Sequence, residues 1–280
     1  MQEEYKGDIG LYLSGQQVKI PSVGIFITQP TIKDIVLTIG ESDFMTAAYL
    51  LSDIAQFAST IRQGKTELNN IPDFQIVIEV LRQKSGQFTN IIDNFFSLCL
   101  PQFSMECSAH SLDFSTEDGT VVGMLNAFNY PDFALAIKEL FLPRQKEEAI
   151  NYRINEADEV SKRLLEKVKK NRELLAKQRS AKDGDNLSMF GLYISILSVG
   201  MGVDVNMFYK YTPFQLYDTF NRFLAKAARD KYESMLLVPF ADTSALKDNE
   251  PPSWFENLYK PVEEEYNSLQ KVNEIGSSAK

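Results

Sequence analysis

The chain has 280 residues, of which 44% are hydrophobic, and it carries a net charge of -9, one histidine and two cysteines. That length and apolar content suit one large domain or two modest ones. The acidic balance disfavours generic nucleic-acid binding, two cysteines are too few for a disulfide framework, and His110 alone rules out a histidine-based metal cluster.

The opening MQEEYKGDIG has acids and no apolar core, so it does not read as a secretory leader, and a reducing cytosol is the default compartment. GLYLSGQQVKIPSVGIFIT holds two short β-rich runs, Val18 to Ile20 and Ile25 to Ile27, around Pro-Ser-Val-Gly turn chemistry, which predicts a hairpin. Thr31 is placed to cap a helix with apolar positions Ile32, Ile35, Val36 and Ile39, ended by Gly40. Ser42 is expected to cap the next, a single helix running through Phe44, Ala48, Leu51, Ile54 and Ala58 to Gly64. Two more helices follow, Asp73 to Lys84 and Phe88 to Leu100, the first opening after Pro72 and the second closed by Pro101.

Between Gln102 and Leu125 the period changes to two. Phe103, Met105 and Cys107 alternate with polar residues, as do Leu112 and Phe114, and Glu117-Asp118-Gly119 supplies a turn before Thr120-Val121-Val122. A short antiparallel sheet is expected there. Asn129-Tyr130-Pro131-Asp132 then reopens a helix that stops before Pro143. Strands clustered among helices in this way predict an α+β fold, predominantly α-helical, with an N-terminal hairpin and a short sheet near 102–125.

Residues 144–182 differ in kind: twelve Lys or Arg against seven Asp or Glu give a local charge of +5, so the remainder of the chain carries -14. The seam of Ile150, Ile154, Ala157, Leu164, Val168 and Leu175 is thin, and either a long solvated helix braced along one edge or an interaction arm accounts for it. A linker reaches Asn186. Leu187 to Val203 follows without a charge but with three serines and three glycines; it is short for a membrane span and reads as a buried helix. Asp204 caps a short helix. Thr212-Pro213-Phe214-Gln215 has the form of a capping box, and from it Leu216, Tyr217, Phe220, Phe223, Leu224 and Ala227 share one broad apolar face, with Asp218, Asn221, Arg222 and Arg229 elsewhere on the wheel. That face is expected to pack on the 187–198 helix, the alternative being a docking surface. In the tail, Ser253 and Glu256 make a second capping box around the single tryptophan, so that Trp254, Phe255 and Leu258 either pin the tail to the protein's own body or anchor it in a partner's groove. The expected divisions are a mixed domain over 1–143, the basic helix and linker over 144–186, a helical unit over 187–245 and an acidic tail over 246–280.

Catalytic patterns are missing. His110 has no nucleophile beside it, Cys99 and Cys107 lack the spacing of zinc or redox motifs, and Gly200-Met201-Gly202 lacks a third glycine and a preceding strand. The pairs Glu147-Glu148 and Glu263 to Glu265 sit in charge runs, where a solvated face is the simpler reading. No cofactor, metal or small-molecule substrate is expected, and the chain does not read as an enzyme.

The order and spacing of IPSVGIFITQPTIKDIVLTIGESDF, the Asp-Phe of IPDFQ, FNYPDFALAIKEL, the charged helix and YTPFQLYDTFNRF resemble a family of tailed-bacteriophage proteins. The C-terminal part, an apolar helix followed by Thr-x-x-Gln-Leu/Phe-x-Asp, is similar to phage tail assembly chaperones. This chain is longer than many of those and has strands of its own. The resemblance implies a non-enzymatic assembly protein of the host cytoplasm that binds another tail component, such as the tape-measure protein, during virion morphogenesis. A structural virion subunit of the baseplate or connector is the alternative. On either reading the partner-binding candidates are Tyr217, Phe220, Phe223, Trp254, Phe255 and Leu258, with no membrane and no nucleic acid involved.

Overall fold

A computed structural model describes residues 7–62, 68–83, 87–143 and 188–237, together with Phe255. The basic segment 144–182, its linker, Trp254 and Leu258 lie outside the described residues. The described elements are predominantly helical, with one two-stranded and one three-stranded antiparallel sheet. This is the α+β class expected.

An additional short helix, α1 (Ile9–Ser14), precedes the hairpin; Asp8 caps it by accepting from the amides of Gly10 and Leu11, and Gly15 ends it in the left-handed region. Strands β1 (Val18–Ile20) and β2 (Ile25–Ile27) pair with Val18 opposite Ile27, which buries Val18, Ile20, Ile25 and Ile27 and turns Lys19 and Phe26 outward. Helix α2 (Ile32–Thr38) starts at the Thr31 cap expected, which the structure extends to a full capping box: its hydroxyl accepts from the Asp34 amide, and the Asp34 carboxylate accepts from the Thr31 amide.

Two boundaries differ from expectation. Gly40, not Ser42, is the cap of α3 (Glu41–Ser52), because its φ of 82° turns the chain directly from α2 into the next helix. The single long helix is two, α3 and α4 (Ile54–Arg62), separated at Asp53, whose extended backbone breaks the helical path and whose carboxylate accepts from the Gln56 amide. Helices α5 (Asp73–Arg82) and α6 (Gln87–Cys99) follow as read.

Strands β3 (Ser104–Cys107), β4 (Leu112–Ser115) and β5 (Val121–Leu125) form the second sheet in that order. Its edge strand β5 meets the turn of the hairpin: the Met124 amide donates to the Val23 carbonyl at 3.0 Å. Helix α7 (Tyr130–Phe141) then crosses the core. Phe44 of α3, Phe95 of α6 and Phe141 of α7 form a triangle of rings 5.1–5.6 Å apart, and Tyr130 of α7 donates to the Leu51 carbonyl at the end of α3. Three elements distant in sequence thereby share one apolar centre, in which each ring fully buried contributes about 1.5–3 kcal/mol.

The last elements are α8 (Met189–Met201), α9 (Val205–Phe208) and α10 (Pro213–Leu236). A unit boundary also falls within α10: residues 7–143 and 188–220 make up the described part of one compact unit, and 221–237 with Phe255 that of a second. The reason is local. The Phe190 amide of α8 donates to Glu41 of α3, the Gln215 side chain of α10 donates to the Leu13 carbonyl, and Tyr12 and Phe214 meet edge to face at 5.1 Å. Among the described residues no helix is long and apolar enough to cross a membrane.

Candidate docking surface

The capping box at the start of α10 is complete, with the Gln215 amide donating to Thr212 Oγ1 at 3.3 Å and the Thr212 amide donating to Gln215 Oε1 at 2.9 Å. It fixes the register of α10, and so which residues reach α8. Tyr217 is buried between Phe190 and Tyr193, at ring distances of 6.2 and 5.9 Å, and its hydroxyl donates to Met45 Sδ at 3.6 Å. Phe220, half-buried, stacks on Tyr193 with centroids 4.1 Å apart and planes 14° apart. The α10 face therefore packs on α8 as expected, through Tyr217 and Phe220.

The remaining candidates separate. Phe223 is half-buried and belongs to the second unit, while Leu224 and Ala227, expected on the same buried face, are exposed. Asp218, placed off the apolar face, is also buried. Phe255 is 73% exposed. The first two turns of the helix lie where α1, α3 and α8 converge, and they hold Phe214, Leu216 and Tyr217 buried.

Electrostatics point away from acid-base chemistry at this cluster. Burial, then the neighbouring Tyr193, Glu41 and Tyr49, push the Tyr217 hydroxyl far above its ordinary range, and burial followed by Tyr49 raises Tyr193. Both phenols are held neutral at ordinary pH, and the Tyr217 hydroxyl donates to Met45 Sδ. No group of three or more His, Cys, Asp or Glu among the described residues is placed to hold a metal ion. His110 is exposed, as expected, and Cys99 is buried with its thiol pushed well up by desolvation.

What the sequence reading missed is the far side of α8. Phe190, Ile194 and Leu197 are buried, but Leu192, Ile196 and Val199, at spacings of four and three, are exposed, Val199 by 84%. The expectation of a buried helix holds for one side only. A helix apolar on every side gives no periodicity by which to tell its inward face from its outward one. The outward stripe spans about 10 Å at 1.5 Å per residue, room for two turns of a partner helix. Each such side chain gains about 1.5–3 kcal/mol if fully covered. A contiguous exposed apolar row on an otherwise packed helix is a candidate interaction surface.

No family model, curated protein or solved structure matches this chain.

Proposed function

We propose that the protein is a non-enzymatic phage tail assembly protein, a chaperone of the host cytoplasm that binds another tail component such as the tape-measure protein. One observation carries this reading: Leu192, Ile196 and Val199 form an outward apolar stripe on α8, a helix whose own Tyr193 is held by the Tyr217 and Phe220 rings of α10. A rigid helix presenting such a stripe suits the covering of an amphipathic helix before it is built into a larger assembly. The resemblance of its motifs to those of tailed-phage proteins suggests the biological setting.

The test has two parts. Co-expression with the tape-measure protein of the same phage should keep that protein in the soluble fraction and recover both in one complex, and mass spectrometry of purified particles should not find this chain. Its presence there in stoichiometric amount would instead identify a baseplate or connector subunit.

A further inference from the structure

Helix α2 is joined to the loop before α10 by backbone: the Ile32 and Lys33 amides, left without partners inside a helix at its first turn, donate to the carbonyls of Tyr211 and Tyr209 at 2.8 and 3.0 Å. This fixes α2 against α9 and forms a groove of about 350 Å³ between them, lined by Val36, Leu37, Tyr209 and Asn206 with Lys33 and Lys210 at its rim. Leu37 is 74% exposed. Neither lysine has an ion-pair partner among the described residues. The nearest acids in sequence are otherwise engaged, Asp34 with Thr31 and Asp204 with the Asn206 amide. The groove is thus lined by apolar side chains and two lysines and by no carboxylate, in a chain of net charge -9.

We propose that this groove docks an acidic amphipathic helix of a partner protein, with one or two large aliphatic side chains in the groove and flanking carboxylates paired to Lys33 and Lys210. The apolar floor takes the large side chains of a docked helix, and the cations select the sign of the flanking charge. This site is separate from the α8 stripe and does not depend on the phage reading. The exposed lysines supply attraction and orientation, and the apolar floor supplies most of the affinity.

The experiment titrates full-length protein into a fluorescein-labelled synthetic peptide with leucines at i, i+3, i+4 and i+7 and glutamates beside them, read by anisotropy. A second peptide has lysine for every glutamate, and laurate serves as an anionic amphiphile that is not a helix. The glutamate peptide should bind, more weakly as salt is raised, and the double variant Lys33→Glu/Lys210→Glu should weaken it by about tenfold or more while gaining affinity for the lysine peptide. Leu37→Ser should weaken both pairings. All three side chains are exposed, so the variants should melt with the parent protein. Failure of the glutamate peptide to bind, equal binding to the double variant, or no gain with the lysine peptide would each overturn the proposal, as would saturation by laurate alone.

Discussion

Gly123 lies where strand β5 meets the hairpin turn, and a methyl group there would stand 2.6 Å from the Val23 carbonyl oxygen and 2.7 Å from Cγ2 of Ile25. Neither neighbour can yield cheaply. The Val23 carbonyl accepts the Met124 amide, Ile25 is fully buried, and the facing Gly24 is itself at φ 88° with the Val122 carbonyl 2.8 Å from its own Cβ position. Gly123→Ala must therefore separate the two sheets by several tenths of an ångström. The cost is about 1 kcal/mol for the weakened hydrogen bond and about 1–3 kcal/mol for overpacking, together about 2–4 kcal/mol. For a unit of this size that lowers the melting temperature by about 5–15 °C. Gly119→Ala is the control: φ is 81° but nothing lies within 4 Å, so only left-handed backbone strain of about 1–2 kcal/mol is added. Thermal melts followed by far-ultraviolet circular dichroism decide. A Gly123→Ala protein melting within about 2 °C of wild type, or above Gly119→Ala, would refute the close approach of the two sheets.

Thr212→Ala should lower the unfolding free energy by about 1 kcal/mol through loss of the cap, with Thr212→Ser restoring most of it, as measured by urea midpoints. Gln215→Ala should cost at least as much, since that side chain also holds the Leu13 carbonyl. Under native conditions Ellman's reagent should label Cys107 rapidly and Cys99 only on unfolding, because the Cys99 thiol is buried and its ionisation disfavoured; two equally fast thiols would contradict the packing of α6. Tyr130 and Tyr217 are both raised, chiefly by burial, from an ordinary value of 10. The folded state then holds these protons more tightly than the unfolded chain, so their contribution to stability is intact below about pH 10 and falls as pH rises above it. Absorbance titration should show these two phenolates appearing together with loss of helical signal.

Local chemistry was well written in the sequence. Thr31-x-x-Asp34 and Thr212-Pro-x-Gln215 make their caps with neighbours three residues away, and the alternation around Leu112 and Phe114 follows directly from the pleat. The helix break at Asp53 was hidden because apolar spacing continues across it. Docking of α8 onto α3 was hidden for a different reason: the bond from Phe190 to Glu41 joins residues 149 positions apart, and no local pattern encodes such a pairing. Of the candidate site, Tyr217 and Phe220 were legible as an aromatic face packing on the 187–198 helix, but the side of that helix left exposed was not. The outward stripe of Leu192, Ile196 and Val199 could be assigned only once the opposite side of that helix was seen to be covered.

Hydrogen-deuterium exchange of the full chain, alone and with the co-expressed tape-measure protein, tests the docking account most directly. The account predicts that added protection centres on residues 189–201, and that Ile196→Asp/Val199→Asp abolishes it while leaving the exchange of α3, α6 and α7 unchanged. Protection that falls elsewhere, or that survives the double substitution, would contradict the assignment of the α8 stripe as the partner-binding surface.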